Sequence, residues 1–230
     1  MHLSFINHRS LTDVSNVPGD GSLFLRTTWV ACDHAWVSDL SMHIRHRLAV
    51  VCGTALVFLL TLVANEWVFR HSEFVRGVNW IYLPAAIRLL CTLLFGALGA
   101  IGILIASWIS CFFYTFPSDP VRAAFGGIIS ALAPYLVYLF ATRKLGLSTS
   151  LANLTAGRLL VLIPLYSLAG PAMQQAWYAF SGDTVNVGER FIVAFIGDLI
   201  GTLVIIYTLK LVLWFVTRMH ASTHRASRPH

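Results

Sequence analysis

The stretch LAVVCGTALVFLLTLVAN, Leu48 to Asn65, runs for eighteen residues without a charge. As a helix at 1.5 Å per residue it covers ~27 Å, close to the ~30 Å hydrocarbon core of a bilayer. Five further apolar stretches follow downstream. The whole chain of 230 residues is 57% hydrophobic and 11% charged, with a mean hydropathy of +0.72, against roughly 45–50% apolar and 25% charged in soluble domains. The fold class expected is therefore all-α, a polytopic transmembrane helical bundle in the lipid bilayer. Residues 47 to 216 accommodate about six spans of ~20 residues with roughly ten residues per connection, which leaves no room for a soluble domain within that stretch.

Working outward, residues 1 to 46 mix polar residues with scattered aromatics and show neither a signal-peptide run nor a clear helical period, so a disordered or weakly ordered segment is expected. Met42 precedes a basic flank, His43 to Arg47, and is an alternative start. The transmembrane domain is set at residues 47 to 217 and a basic cytoplasmic tail at 218 to 230. The first span runs from Leu48 to about Trp67. The second opens at Trp80 with Pro84 in its first turn and runs to Phe95. Gly96, Gly99 and Gly102 then recur without charge, predicting a tight hairpin into a third span that ends near Phe113. The loop around Pro117 and Pro120 precedes a fourth span, Val121 to Ala141. A fifth, Arg158 to Phe180, carries Pro164 and the Gly170, Pro171 pair and is expected to be kinked or broken. The last, Phe191 to Val216, carries Gly197 and Gly201 at GxxxG spacing, which favours helix packing within the chain or in a homodimer. With the amino terminus inside, Arg45, Arg47, Arg143, Lys144, Arg158 and the tail arginines fall on the inner side, while Glu66, Glu73, Asp119, Asp183 and Glu189 fall outside. That asymmetry places both termini in the cytoplasm of a bacterium, with the bundle in its inner (plasma) membrane.

The net charge of +6 comes from residues flanking apolar segments, with no basic patch interleaved with aromatics, so no nucleic-acid partner is expected. Cys32, Cys52, Cys91 and Cys111 show no metal spacing, the histidines lie mostly in the termini without acidic company, and no P-loop, HExxH, GxSxG or GxGxxG string occurs. Neither an enzyme, a metal nor a cofactor is expected.

Charges inside spans do carry information. Lys210 is near enough to the inner end to snorkel. Arg88 lies eight residues past Trp80, and Asp198 eight residues past Arg190. Helical rise puts both ~12 Å below the outer boundary, where an ion pair is geometrically open to them. Such a pair either fixes helix packing permanently or faces a ligand-filled cavity. The same outer half holds Tyr82, Gln174, Gln175 and Trp177, completing a candidate ligand site.

Two strings carry a family resemblance. Trp80-Ile-Tyr-Leu-Pro-Ala-Ala-Ile-Arg-Leu-Leu followed by Leu94-Phe-Gly-Ala-Leu-Gly-Ala resembles the start of the second helix and the glycine turn of MASE1 membrane-sensor domains, and Phe195-Ile-Gly-Asp-Leu-Ile-Gly resembles their Gly-Asp-x-x-Gly string. The resemblance implies a membrane domain that senses a signal and passes it to a cytoplasmic output domain. The family usually has more spans, and its members tend to carry a small or apolar residue where this chain has Arg88. With no output domain after the last span, signalling is expected to pass through a separate partner protein. Two other readings stand beside it. The first is a six-span substrate-binding membrane component of vitamin-type transporters, docking a coupling protein through Ala49 and Gly53; the second is a structural or assembly role.

Overall fold

The computed structural model describes residues 21–147, 155–183 and 185–226. Among them are six α-helices: α1 (Gly21–Phe69), α2 (Pro84–Phe95), α3 (Ala97–Ser110), α4 (Pro120–Lys144), α5 (Ala156–Phe180) and α6 (Val187–Ala226). A short antiparallel hairpin, β1 (Glu73–Val75) and β2 (Val78–Asn79), joins α1 to α2.

The chain divides between His46 and Arg47 into two units. In the first, residues 1–20 lie outside the described residues, as do 227–230 of the basic tail. From Gly21 the backbone is helical, an earlier start than the Leu48 expected. No proline or glycine interrupts residues 22 to 52, so a helix once nucleated has nothing to stop it.

The second unit holds the bundle. Five helical stretches are long and apolar enough to cross a membrane: Ile44–Phe69, Ala97–Thr115, Pro120–Lys144, Gly157–Phe180 and Val187–Met219. The expected second span is the exception. Its helix, α2, has twelve residues and is ~18 Å long, too short for a bilayer core. It starts at Pro84 rather than Trp80 because Pro84 has no N–H for the Trp80 carbonyl and suits the first helical position, while tertiary partners take the backbone donors of the preceding segment. The Trp80 N–H donates to the Ser72 carbonyl (2.9 Å), the Tyr82 N–H to the Gly197 carbonyl (3.1 Å) and the Leu83 N–H to Asn65 Oδ1 (2.9 Å).

This non-helical segment lies along α6. A Cβ on Gly197 would overlap the Asn79 carbonyl, and one on Gly201 the Tyr82 carbonyl. The GxxxG face is thus occupied by main chain of the same molecule rather than by another helix. Gly201 lies ten residues beyond Phe191, where α6 turns apolar, and Asn65 lies about one turn before the end of α1, so α2 begins inside the apolar part of the bundle. Irregular backbone at that depth is tolerated where protein buries it or where it borders a cavity. Both hold here.

Although α2 is the shortest helix, it is the most deeply packed. Ala85, Ala86 and Leu89 are fully buried, and Ala85, Leu89 and Leu93 meet Val137 and Ala141 of α4 and Leu162, Ile163 and Tyr166 of α5. The α2–α3 hairpin turns at Gly96, whose φ of +57° suits glycine. Gly99 packs on the Cys91 carbonyl and Gly102 on Val51 and Thr54 of α1. Of the kink or break expected in the fifth span, the break does not occur in helix α5. It is continuous through Pro164 and Pro171, since each proline removes one hydrogen bond that neighbouring turns and helices offset. The break falls in the second span instead.

Three connections meet at one end of the bundle. Arg76 Nη2 donates to the Tyr114 carbonyl (3.0 Å), the Tyr114 hydroxyl reaches Glu66 (3.4 Å), and Asp183 forms ion pairs with Arg122 and Arg190. Asp119 caps α4 by accepting from the Arg122 N–H (2.9 Å), with Pro120 in the first turn.

Candidate functional site

A cavity of about 730 Å³ enters the bundle from that end, within the range of small-molecule sites. Its mouth is bordered by Glu66, Arg76 and Thr115, and its interior by Arg88, Ser130, Tyr166 and Asp198. Each wall repeats at helical spacing. Phe58, Leu62 and Glu66 form one stripe on α1, Tyr166, Gly170 and Gln174 another on α5, and Ala194 and Asp198 a third on α6. The irregular segment supplies Asn79 and Tyr82.

Arg88 projects from the second turn of α2. Its Nη2 donates to the Tyr82 hydroxyl (2.8 Å), and its guanidinium lies 5.1 Å from the Phe58 ring centre and 5.0 Å from that of Tyr82, within cation–π range. Its buried Nε has no partner. Asp198 is 8% exposed and lies beside Gly170, where a Cβ would stand 3.5 Å from Oδ2.

The ion pair between Arg88 and Asp198 does not form. Among the described residues, the salt bridges are those of Asp183 with Arg122 and Arg190. The equal-depth count assumed a helix from Trp80. In the structure Tyr82 already lies beside Gly201, three residues beyond Asp198, and Arg88 follows six residues later. The Arg88 backbone therefore lies further along the bundle axis than that of Asp198. Both side chains border one cavity without neutralising each other.

The remaining candidates divide. Tyr82 and Gln174 line the cavity, the latter donating to the Tyr178 hydroxyl (2.9 Å). Gln175 is buried outside the lining, with Oε1 unpartnered. Trp177 turns away to stack on Phe125, ring centres 3.6 Å apart, and borders a second depression with Arg122, Tyr178 and Asp183. In that outer cluster the Asp183 carboxyl is held below its ordinary value, chiefly by the hydrogen bond from Arg190 and also by that from Arg122.

Sequence reasoning missed Asn65, Phe58 and Tyr166. Asn65 is 2% exposed and read as the end of a span, whereas its side chain caps the start of α2. The spacing of Tyr166, Gly170 and Gln174 on one helical face was the available signal for Tyr166. Among the described residues, no group of histidine, cysteine or acidic side chains is placed to hold a metal. Comparison of the chain with protein-family models, curated proteins and solved structures finds no match.

Proposed function

We propose that this chain is a membrane-embedded ligand-binding domain that senses a small molecule and signals through a separate partner, as its resemblance to MASE1 domains implies. The observation that carries the reading is Arg88. An arginine at membrane depth costs ~2.5–3.5 kcal/mol on insertion scales unless it is paired or faces water, and this one faces a cavity without a carboxylate in ion-pair contact. A permanent charge on the wall of a cavity has its use when a ligand arrives. In this reading the broken second span is part of the receptor: it sets Tyr82 and Arg88 in the wall and can respond when the cavity fills.

The bilayer is proposed to be the bacterial inner membrane, with both termini cytoplasmic and the mouth outside, on the strength of the lysine and arginine asymmetry. The site is non-catalytic in this reading. Cys111 lines the cavity and provides the test. In a variant retaining Cys111 as its sole cysteine, a charged, membrane-impermeant thiol reagent added outside intact cells should modify it. If Cys111 stays inert to that reagent while a lipophilic maleimide reacts, the cavity is not open to water and the reading fails.

Transport is the second reading, and one observation favours it. Ala49 and Gly53 lie exposed on α1, and a Cβ on Gly53 would meet nothing within 4 Å, leaving a small-residue face free for a coupling protein. Uptake by proteoliposomes containing that partner, absent from liposomes containing this chain alone, would decide for transport. An adjacent gene for a kinase or cyclase favours sensing.

A further inference from the structure

We propose that the ligand of this cavity is a zwitterion, its acid group held by Arg88 and its amine by Asp198. The inference rests on the cavity being a ligand site and adds the ligand's chemical class.

Two opposite charges line one intramembrane cavity and are not joined. On the basic side, the Arg88 guanidinium meets only neutral hydroxyls, those of Tyr82 (2.8 Å) and Tyr166, and its Nε is buried without a partner. Phe58 and Tyr82 flank it with their rings, which steers the guanidinium while supplying no negative charge. On the acidic side, no donor among the described residues reaches Asp198 by hydrogen bond or salt bridge. Gly170 beside it contributes no side chain that would cover the carboxylate.

Charge balance then selects among ligands. A simple anion would answer Arg88 and bring a second negative charge into the cavity with Asp198, and a simple cation would do the reverse. A neutral ligand would displace water from both charges and replace it with nothing, at the cost attached to every desolvated unpaired charge. A molecule carrying one carboxylate and one ammonium answers both at once. The guanidinium suits a planar acid group, with its fork of N–H donors. The two backbones are offset along the bundle axis, and the Arg88 side chain reaches back toward Tyr82, on the Asp198 side, so a zwitterion answers both groups by lying lengthwise in the cavity.

The full chain in lipid nanodiscs is titrated with three matched sets: leucine, 3-methylbutylamine and 4-methylpentanoate; phenylalanine, 2-phenylethylamine and 3-phenylpropionate; 4-aminobutyrate, butylamine and butyrate. In at least one set the zwitterion should bind about 10-fold or more tightly than both single-charge counterparts, the value of one charged hydrogen bond. In that set Asp198→Asn should bring the acid level with the zwitterion, and Arg88→Gln should do so for the amine. Those ratios are internal to each variant and do not depend on how much protein folds. If in every set a single-charge probe equals the zwitterion, the proposal is overturned while the ligand site stands. If no probe binds although Cys111 reacts from the aqueous side, the zwitterion class is again overturned. Failure of both binding and labelling removes the site as well.

Discussion

Asn65→Leu tests what holds the second span open. Asn65 is 2% exposed, and its Oδ1 accepts the Leu83 N–H at 2.9 Å. This donor heads α2 inside the bundle, where no lipid group can replace the partner. Leucine preserves the approximate volume and removes the acceptor, so the cavity term is small and the loss is that of an unsatisfied donor, ~1–3 kcal/mol. At ~2–4 °C per kcal/mol for a chain of this size, the melting temperature should fall by about 2–12 °C. Global melting alone does not locate the effect, so hydrogen exchange supplies the second measurement. Peptides covering residues 79 to 86 should exchange faster, while those in the middle of α4 keep their protection. An Asn65→Leu protein that melts with the parent and exchanges alike across 79 to 86 would show that Asn65 does not set the start of α2.

Three further outcomes follow from the geometry. Gly201→Val should destabilise by ~1–3 kcal/mol, because its Cβ meets the Tyr82 main chain, which cannot rotate away, whereas Gly53→Ala should be neutral or stabilising by up to ~1 kcal/mol; equal melting of the two variants contradicts the α6 packing. Because Arg88 and Asp198 share a cavity without an ion-pair contact, Arg88→Gln and Asp198→Asn should couple by less than ~3 kcal/mol in unfolding experiments, the least expected from breaking a buried pair, and a larger coupling would restore the ion pair. The Asp183 carboxyl titrates below its ordinary value, so its contribution is complete above the usual carboxylate range near 4 and is lost as pH falls below it; melting profiles should therefore be flat above about pH 5 and decline in acid, with the decline missing from Asp183→Asn.

Much of this architecture is legible without coordinates, because it depends on local properties of the chain. Apolar length marks the membrane-crossing helices, Pro120 and Asp119 mark the start of α4, and Gly96 marks the hairpin that the structure turns at a positive φ. Arg88 and Asp198 stand out because charge is rare in such stretches. Their shared cavity could be suspected from sequence, since both fall in apolar segments beside polar and aromatic company. The fate of residues 79 to 83 could not. Pro84 is a local signal for a helix start, but the path of the residues before it is decided by an amide on α1 and a carbonyl on α6, each supplied from far along the chain. Once those partners take the backbone donors, the helix begins a turn later and deeper, and the depth count that joined Arg88 to Asp198 no longer holds. Gly197 and Gly201 show the same division. Their spacing announces a close approach, and only the tertiary structure decides that the approaching group is main chain from the broken span, because small residues admit any backbone that the rest of the fold delivers to them.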